Sequence, residues 1–406
     1  MKRILFVDDE TRILDGIRRM LHADRKRWDM EFAEGGEAAL KACDLGAFDV
    51  IVSDMRMPGM DGATLLTHMR NRCPATARIL LSGHCDVEAA TRVVTLAHRF
   101  LAKPCDPKEL RAAIESVCTL QDLLSGAEIR KVIGSIGQLP SLSSTYASLA
   151  QAVNDPNTSI GKIGRIVEQD MALSAKVLQL VNSAFFGLGQ NVSTVQSAVS
   201  YLGMDTIKNL VLVAETVRVF VPDKRIPPSV YEFLQQHAQR VAYIAGKLPV
   251  DKNVRDLTIL AALLHDIGRL IFASKLPDQF CAITALVKER GCQVFEAEEE
   301  LFGISHAEVG AFLLGLWGIP YLAVEAIAHH HHPTRTPHSS FDVPTALYIA
   351  DVLAGESTTD DSTSTELRES DRDCLEKLGV LDRLPEFREL AGPSVDQKSN
   401  VAGASW

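Results

Sequence analysis

Positive charge is in short supply in this chain: 42 Lys and Arg stand against 52 Asp and Glu, a formal charge of -10 over 406 residues. That balance works against non-specific attraction to a nucleic-acid backbone. No basic recognition helix stands out either, so a direct DNA-binding output is not expected. Long apolar runs are also missing. No run reaches the roughly 20 residues that a bilayer-spanning helix needs, and the start Met-Lys-Arg-Ile-Leu-Phe-Val-Asp-Asp turns acidic too early for a signal peptide. The expectation is a cytoplasmic protein with no membrane span. The eight cysteines are scattered, without a Cys-x-x-Cys pair or disulfide-style spacing, and read as small buried or idle thiols. What the chain does have is material for a core. Hydrophobic residues make up 46% and charged residues 23%, the balance of a soluble globular protein, and the length suits two or three domains.

Through residue 122 the hydrophobic pattern alternates between strand-length and helix-length segments. Strand-like stretches recur at Arg3–Asp9, Met30–Ala33, Val50–Asp54, Arg78–Ser82 and Arg99–Lys103. Five βα units of this kind predict an α/β doubly wound parallel sheet with helices on both faces. In such a sheet the carboxyl ends of the strands lie together and form the binding crevice. Asp8 and Asp9 end the first strand, Asp54 the third, Ser82 the fourth and Lys103 the fifth. Carboxylates gathered in one crevice repel unless a cation sits among them, and hard oxygen donors suit Mg2+. Asp54 is then a candidate nucleophile that accepts a phosphoryl group. Lys103 would neutralise the transferred oxygens, and the Ser82 hydroxyl would bond them.

These residues, in the motifs Val-Asp-Asp-Glu, Ser-Asp-Met-Arg-Met-Pro-Gly-Met-Asp-Gly, Leu-Leu-Ser-Gly-His and Ala-Lys-Pro, resemble the receiver (CheY-like, flavodoxin-like) domain of two-component response regulators. The resemblance covers residues 1–122. It implies that Asp54 is the phospho-acceptor, that Asp8, Asp9, Asp54 and the Arg56 carbonyl hold Mg2+, and that Lys103 and Ser82 bind the phosphoryl group. It also implies a sensor histidine kinase as phosphodonor, and places Phe100 where receivers keep a switch aromatic.

After the helical stretch Pro107–Leu124, Ser125-Gly126-Ala127 suggests a junction, with a linker over residues 123–129. Beyond it strand-length alternation gives way to helical spacing, with Ser159 as an N-cap for Ile160, Ile163, Gly164, Ile166 and Val167. Several histidines and aspartates then fall on inward faces. His237 shares a stripe with Val241, Ile244 and Leu248, and His265 and Asp266 sit in the nearly all-apolar Leu260–Ile271. Ser305 and Glu308 read as a capping box that puts His306 in a first helical turn. His331 lies in line with Val324, Ile327 and Ala328, and Asp351 with Leu347, Ala350 and Ala354. Buried charges need partners. The set either holds a divalent transition metal, whose open position could activate water, or forms a metal-free hydrogen-bond network.

Leu139-Pro-Ser-Leu, Val181-Asn-Ser-Ala-Phe-Phe-Gly, Ala198-Val-Ser-Tyr-Leu-Gly, Leu264-His-Asp-Ile-Gly-Arg, His306-Ala-Glu-Val-Gly-Ala and Ala328-His-His-His-His-Pro resemble the HDOD domain, an all-α signalling member of the HD superfamily. This implies an HDOD module over 130–335, with a helical extension to about 355. It also implies an output that binds a downstream signalling protein, with a homodimer as a further candidate partner. The superfamily's metal order can be laid onto His237, His265, Asp266 and Asp351, which carries the alternative of a metal-dependent phosphohydrolase acting on cyclic nucleotides. Two positions depart from the HD-GYP phosphodiesterases: Pro333-Thr-Arg-Thr stands where they carry Gly-Tyr-Pro, and Arg269 where they carry lysine. Residues 356–406 read as an acidic flexible loop and tail, with a short helical patch near Cys374–Leu384.

Overall fold

The computed structural model describes residues 1–82, 96–123, 132–134, 136, 143–155, 158–182, 192–216, 223–336, 341–356, 367 and 369–392. The expected junction at Ser125–Ala127, Gly83 and His84 of the fourth-strand motif, most of the acidic loop and the last residues lie outside them. The chain divides into two compact units: residues 1–138 with 179–191 and 312–319, and residues 139–178, 192–311 and 320–406.

The first unit contains strands β1 (Lys2–Asp8), β2 (Trp28–Glu34), β3 (Val50–Asp54), β4 (Ala77–Ser82) and β5 (Arg99–Ala102), joined into one parallel sheet of order β2-β1-β3-β4-β5. Helices α1 (Thr11–Met20), α2 (Gly36–Leu45), α3 (Gly62–Arg72) and α4 (Pro107–Leu123) connect and flank it. All five expected strands are present. β3 and β4 are buried at every position, as a central parallel strand covered on both faces must be. Ile4, Leu5, Val50, Ile51, Ile79 and Leu80 are each 0% exposed; each such side chain contributes about 1.5–3 kcal/mol on burial. The register aligns Val7 with Ser53 and Asp54 with Leu81, and the Lys103 amide donates to the Ser82 carbonyl at 2.8 Å. Asp8, Asp54, Ser82 and Lys103 therefore emerge at one edge.

The second unit is helical. Beyond residue 138 the described helices include α5 (Ser143–Asn154), α6 (Ile160–Glu168), α7 (Met171–Val181), α8 (Val195–Thr216), α9 (Pro228–Lys247), α10 (Lys252–Leu264), α11 (Ile267–Lys275), α12 (Pro277–Arg290), α13 (Val294–Phe302), α14 (His306–Leu316), α15 (Tyr321–Ala328) and α16 (Val343–Gly355); residues 179–181 of α7 and 312–316 of α14 fall in the first unit. Ser159 caps α6, its side chain accepting from the Lys162 amide. α9, α10 and α16 pack on one another and α15 packs on α10 and α16, and α16 is buried along its whole length, so a histidine or aspartate on their inner faces has nowhere to go but toward the others. Contrary to the expectation that no stretch is long and apolar enough, one helical stretch, Lys252–Lys275, has the length and composition of a membrane span; 83% of its apolar window is buried. The expected patch near Cys374–Leu384 is two helices, α17 (Glu369–Lys377) and α18 (Leu384–Ala391), separated by a short 3-10 turn. Leu375 and Phe387 are fully buried, and the Tyr348 hydroxyl on α16 donates to Asp371 at 2.7 Å. Among the described residues, folded structure past residue 355 thus extends to Ala391.

Candidate functional site

At the carboxyl edge of the sheet, the Lys103 ammonium lies 2.7 Å from Asp54 Oδ1 and 2.8 Å from Asp8 Oδ2. Asp8, Asp9 and Asp54 offer oxygens that all lie within 4.8 Å of one another. Three carboxylates this close leave charge that one lysine cannot balance, so a hard divalent cation fits the donor set. Burial raises the Asp54 carboxyl above its ordinary pKa even against its bond to Lys103. Burial opposes charge on Lys103 too, but its bonds to Asp54 and Asp8 outweigh that and raise its pKa. Local sequence sets the loop after Asp54. A Cβ on Gly62 would lie 2.2 Å from the Asp54 carbonyl oxygen, and Asp61 caps α3 by accepting from the Thr64 amide at 2.8 Å. Ser82 and Phe100 are 4% and 5% exposed on neighbouring strands. Arg56 sits two residues past Asp54 in the exposed loop.

The second unit gathers its own cluster. His237 Nε2 is 2.9 Å from Asp351 Oδ1, and His306 Nε2 is 3.2 Å from Asp266 Oδ1 and 2.9 Å from His331 Nε2. His265 donates from Nδ1 to the Ala262 carbonyl at 2.8 Å, and His330 from Nδ1 to the Ile327 carbonyl at 2.7 Å. Each of these rings therefore turns Nε2 inward, where neither Nε2 has a hydrogen-bond partner among the described residues. His265 Nε2 stays 3.7 Å from both Asp266 and Asp351. The donors fall into three overlapping groups: His237, His265 and Asp351; His265, Asp266 and His330; and His306, His330 and His331. Gly268 makes the arrangement sterically feasible, because a Cβ there would lie 1.9 Å from the His306 carbonyl oxygen.

Comparison with protein-family models matches residues 4–115 to the response regulator receiver domain and residues 139–333 to the HDOD domain. The chain belongs to the receiver–HDOD response regulators. Among curated relatives, an uncharacterized protein of Treponema pallidum is 28% identical over 207 residues, half of this chain and 39% of that protein. The transcriptional regulatory protein FixJ of Bradyrhizobium diazoefficiens is 33% identical over 114 residues, 28% of this chain and 55% of that protein. The chain thus spans less than two thirds of either relative. Among solved structures, the signal receiver domain of an HD domain-containing protein from Pseudomonas fluorescens is 30% identical, covering 30% of this chain and 97% of that one with a TM-score of 0.29. A virulence factor from Campylobacter jejuni is 20% identical over 66% of this chain and all of its own, with a TM-score of 0.51, a likeness of fold.

Electrostatics divide the HDOD cluster into electron-pair donors and paired acids. Burial lowers the pKa of His265, takes His330 down to about 3, and holds His331 well below its ordinary value. Burial alone would raise Asp266 and Asp351, but facing imidazoles, with Arg269 beside Asp266, reverse this; Asp266 falls well below its usual value and Asp351 to about 2. His237 and His306 rise against their burial, the first through Asp351 and the second, to about 9, through Glu298 and Asp266. Neutral imidazoles aimed at ionised carboxylates are the donor set that divalent transition metals take.

All six residues picked from the sequence of this unit meet in the cluster. Two neighbours were missed. His330 is not marked by the sequence, because nothing in the run His329–His332 says which of its other rings faces inward. In the structure α15 stops at Ala328, the four histidines occupy the turn that follows, and His330 is 1% exposed. Glu298 was missed because nothing in its local pattern marks it: it sits on α13 and accepts from His306 across eight residues of sequence.

Proposed function

We propose that this response regulator takes a phosphoryl group on Asp54 from a sensor histidine kinase, in the cytoplasm, and passes the signal through its HDOD domain to a partner protein. The observation that carries the first half is Lys103 bridging Asp54 and Asp8 beside three convergent carboxylates. Asp8, Asp9, Asp54 and the Arg56 carbonyl would hold Mg2+, which supplies charge neutralisation for the incoming phosphate. The P–N bond of the donor phosphohistidine breaks as a P–O bond forms to the Asp54 carboxylate. Lys103 neutralises the phosphoryl oxygens, and Ser82 donates a hydrogen bond to one of them. Drawing in Ser82 biases the neighbouring Phe100 and so the receiver surface, a population shift rather than a new fold. The domain division we adopt is a receiver over 1–122, a linker over 123–129 and an HDOD domain from 130. Labelling of the full chain by a phosphodonor tests the reading: Asp54→Asn should abolish it, and persistent labelling in Asp54→Asn contradicts it.

A second reading, in which the HDOD domain is a metal-dependent phosphohydrolase, is favoured by the orphaned Nε2 atoms of His265 and His330. Leaving two buried imidazole acceptors unserved costs stability, and a cation between them removes that cost. One or more of the overlapping groups His237, His265 and Asp351; His265, Asp266 and His330; and His306, His330 and His331 would hold metal, whose chemistry is activation of water toward a phosphate ester. A full-length protein that binds metal and hydrolyses cyclic nucleotides, with both lost in His265→Ala, supports this reading; a protein that binds no metal contradicts it.

A further inference from the structure

We propose that α13, which lends no ligand to the histidine–aspartate cluster, is the helix that positions it, and that Glu298 is the residue holding His306 with Nε2 facing inward. The inference rests on reading that cluster as a metal centre. Glu298 is 1% exposed, and its Oε2 accepts from the His306 amide at 2.7 Å and from His306 Nδ1 at 2.6 Å. Burying a carboxylate is costly, so its place needs a reason. Capping α14 accounts for one of these bonds, the one from the His306 amide, but not for the one from His306 Nδ1. What Glu298 adds is a hold on the ring. With Nδ1–H committed to Glu298, the imidazole cannot flip, and Nε2 is left as the atom presented to Asp266 and His331. Such outer carboxylates orient histidine ligands and increase their donor strength.

The same face of α13 handles the neighbouring rings. Phe295 stacks on His331 with centroids 4.4 Å apart and planes 16° from parallel, and meets His332 edge-on at 5.3 Å. Glu299 Oε1 accepts from His332 Nε2 at 3.1 Å. Phe302 packs on Phe272, 6.2 Å away on the helix that opens just after Asp266. Residues 295, 298, 299 and 302 follow the spacing of one helical face. The helix is itself fixed at both ends: Glu296 accepts from the Gln293 amide at 3.0 Å, and Gly303 closes it in the left-handed region at φ 67°.

The test compares full-length wild type, Glu298→Ala, Glu298→Gln and Phe295→Leu by Mn2+ titration calorimetry, by the visible absorption of bound Co2+, and by 15N NMR of the metal-free imidazoles at a pH above the value of about 9 to which His306 is raised. Glu298→Ala should weaken Mn2+ binding about 10–100-fold, change the Co2+ band and let the His306 tautomer change. Glu298→Gln retains an acceptor oxygen and should recover most of the affinity. Phe295→Leu should weaken binding less than Glu298→Ala. Unchanged Mn2+ affinity, Co2+ band and His306 tautomer in Glu298→Ala overturn the positioning role while the metal centre stands. If Glu298→Ala does not fold, Glu298→Gln and Phe295→Leu decide: both matching Glu298→Ala in lost fold, or both matching wild type in the Co2+ band and affinity, overturn it. Wild type that takes up neither metal overturns the metal centre and this inference with it.

Discussion

Replacing Gly268 with alanine adds one methyl group where the backbone of α11 passes close to the start of α14. The new Cβ would lie 1.9 Å from the His306 carbonyl oxygen, 2.7 Å from its carbon and 2.9 Å from its Cα. All three are backbone atoms, so no side chain can swing away. Reaching a tolerable 3.0 Å requires α11 and α14 to part by about 1 Å. The same movement stretches the 3.2 Å contact between Asp266, at the start of α11, and His306, at the start of α14. Overpacking of this kind costs about 1–3 kcal/mol, or about 2–4 °C of melting temperature for each kcal/mol in a unit of this size. Metal affinity should fall further than stability does, because ligand geometry degrades once donor atoms shift by more than about 0.2 Å. Thermal unfolding in chelator measures the first effect and Mn2+ titration the second. A Gly268→Ala protein with unchanged melting temperature and Mn2+ affinity would refute the steric argument.

Other outcomes follow from other parts of the molecule. Restoring Mn2+ to chelator-treated protein at about 100 times its Kd should stabilise the HDOD domain by about 2.7 kcal/mol; a calorimetric scan with no shift contradicts the metal centre. Phe387→Ala empties a fully buried site on α18 and should cost about 3–5 kcal/mol in denaturant unfolding, whereas a cost below about 0.5 kcal/mol would show that the C-terminal helices are dispensable. Burial, with Cys73 next, pushes the Cys43 thiol up to about 11, so the reactive thiolate is scarce at neutral pH and grows as pH rises toward that value. Alkylation of native Cys43 followed by peptide mapping should therefore accelerate about tenfold per pH unit between pH 8 and 10; a plateau near pH 9 would contradict the shift.

The receiver fold was legible because each parallel strand is a short apolar run ended by a chemically distinct residue, so order along the chain determined which side chains share the crevice. Asp8, Asp54 and Lys103 could be paired before any coordinates, through strand ends alone. In the HDOD domain the inward stripes on α9 and α16 singled out His237 and Asp351, since a polar residue repeating with apolar ones at helical spacing points into the core; the nearly all-apolar stretch Leu260–Ile271 singled out His265, and the capping box of Ser305 and Glu308 placed His306. The missed residues lack that periodicity. His330 lies in a turn, where nothing in the pattern says which histidine of four faces inward. Glu298 belongs to a run of glutamates on α13 that reads as a solvated face; only the fold shows one of them buried against His306. The C-terminal helices were legible only as one short patch near Cys374–Leu384 for a related reason: their polar composition gives a weak signal, yet Leu375 and Phe387 suffice to anchor them.

The most direct test of the account is to map the phosphoryl group. The full chain is incubated with a phosphodonor and Mg2+, then digested and sequenced by mass spectrometry beside Asp54→Asn and Lys103→Met. The account predicts a single acyl phosphate on Asp54, absent in Asp54→Asn, dependent on Mg2+, and strongly reduced when the bridge from Lys103 to Asp8 and Asp54 is removed. Phosphate on another residue, or labelling of Asp54 that ignores both Mg2+ and Lys103, would contradict it.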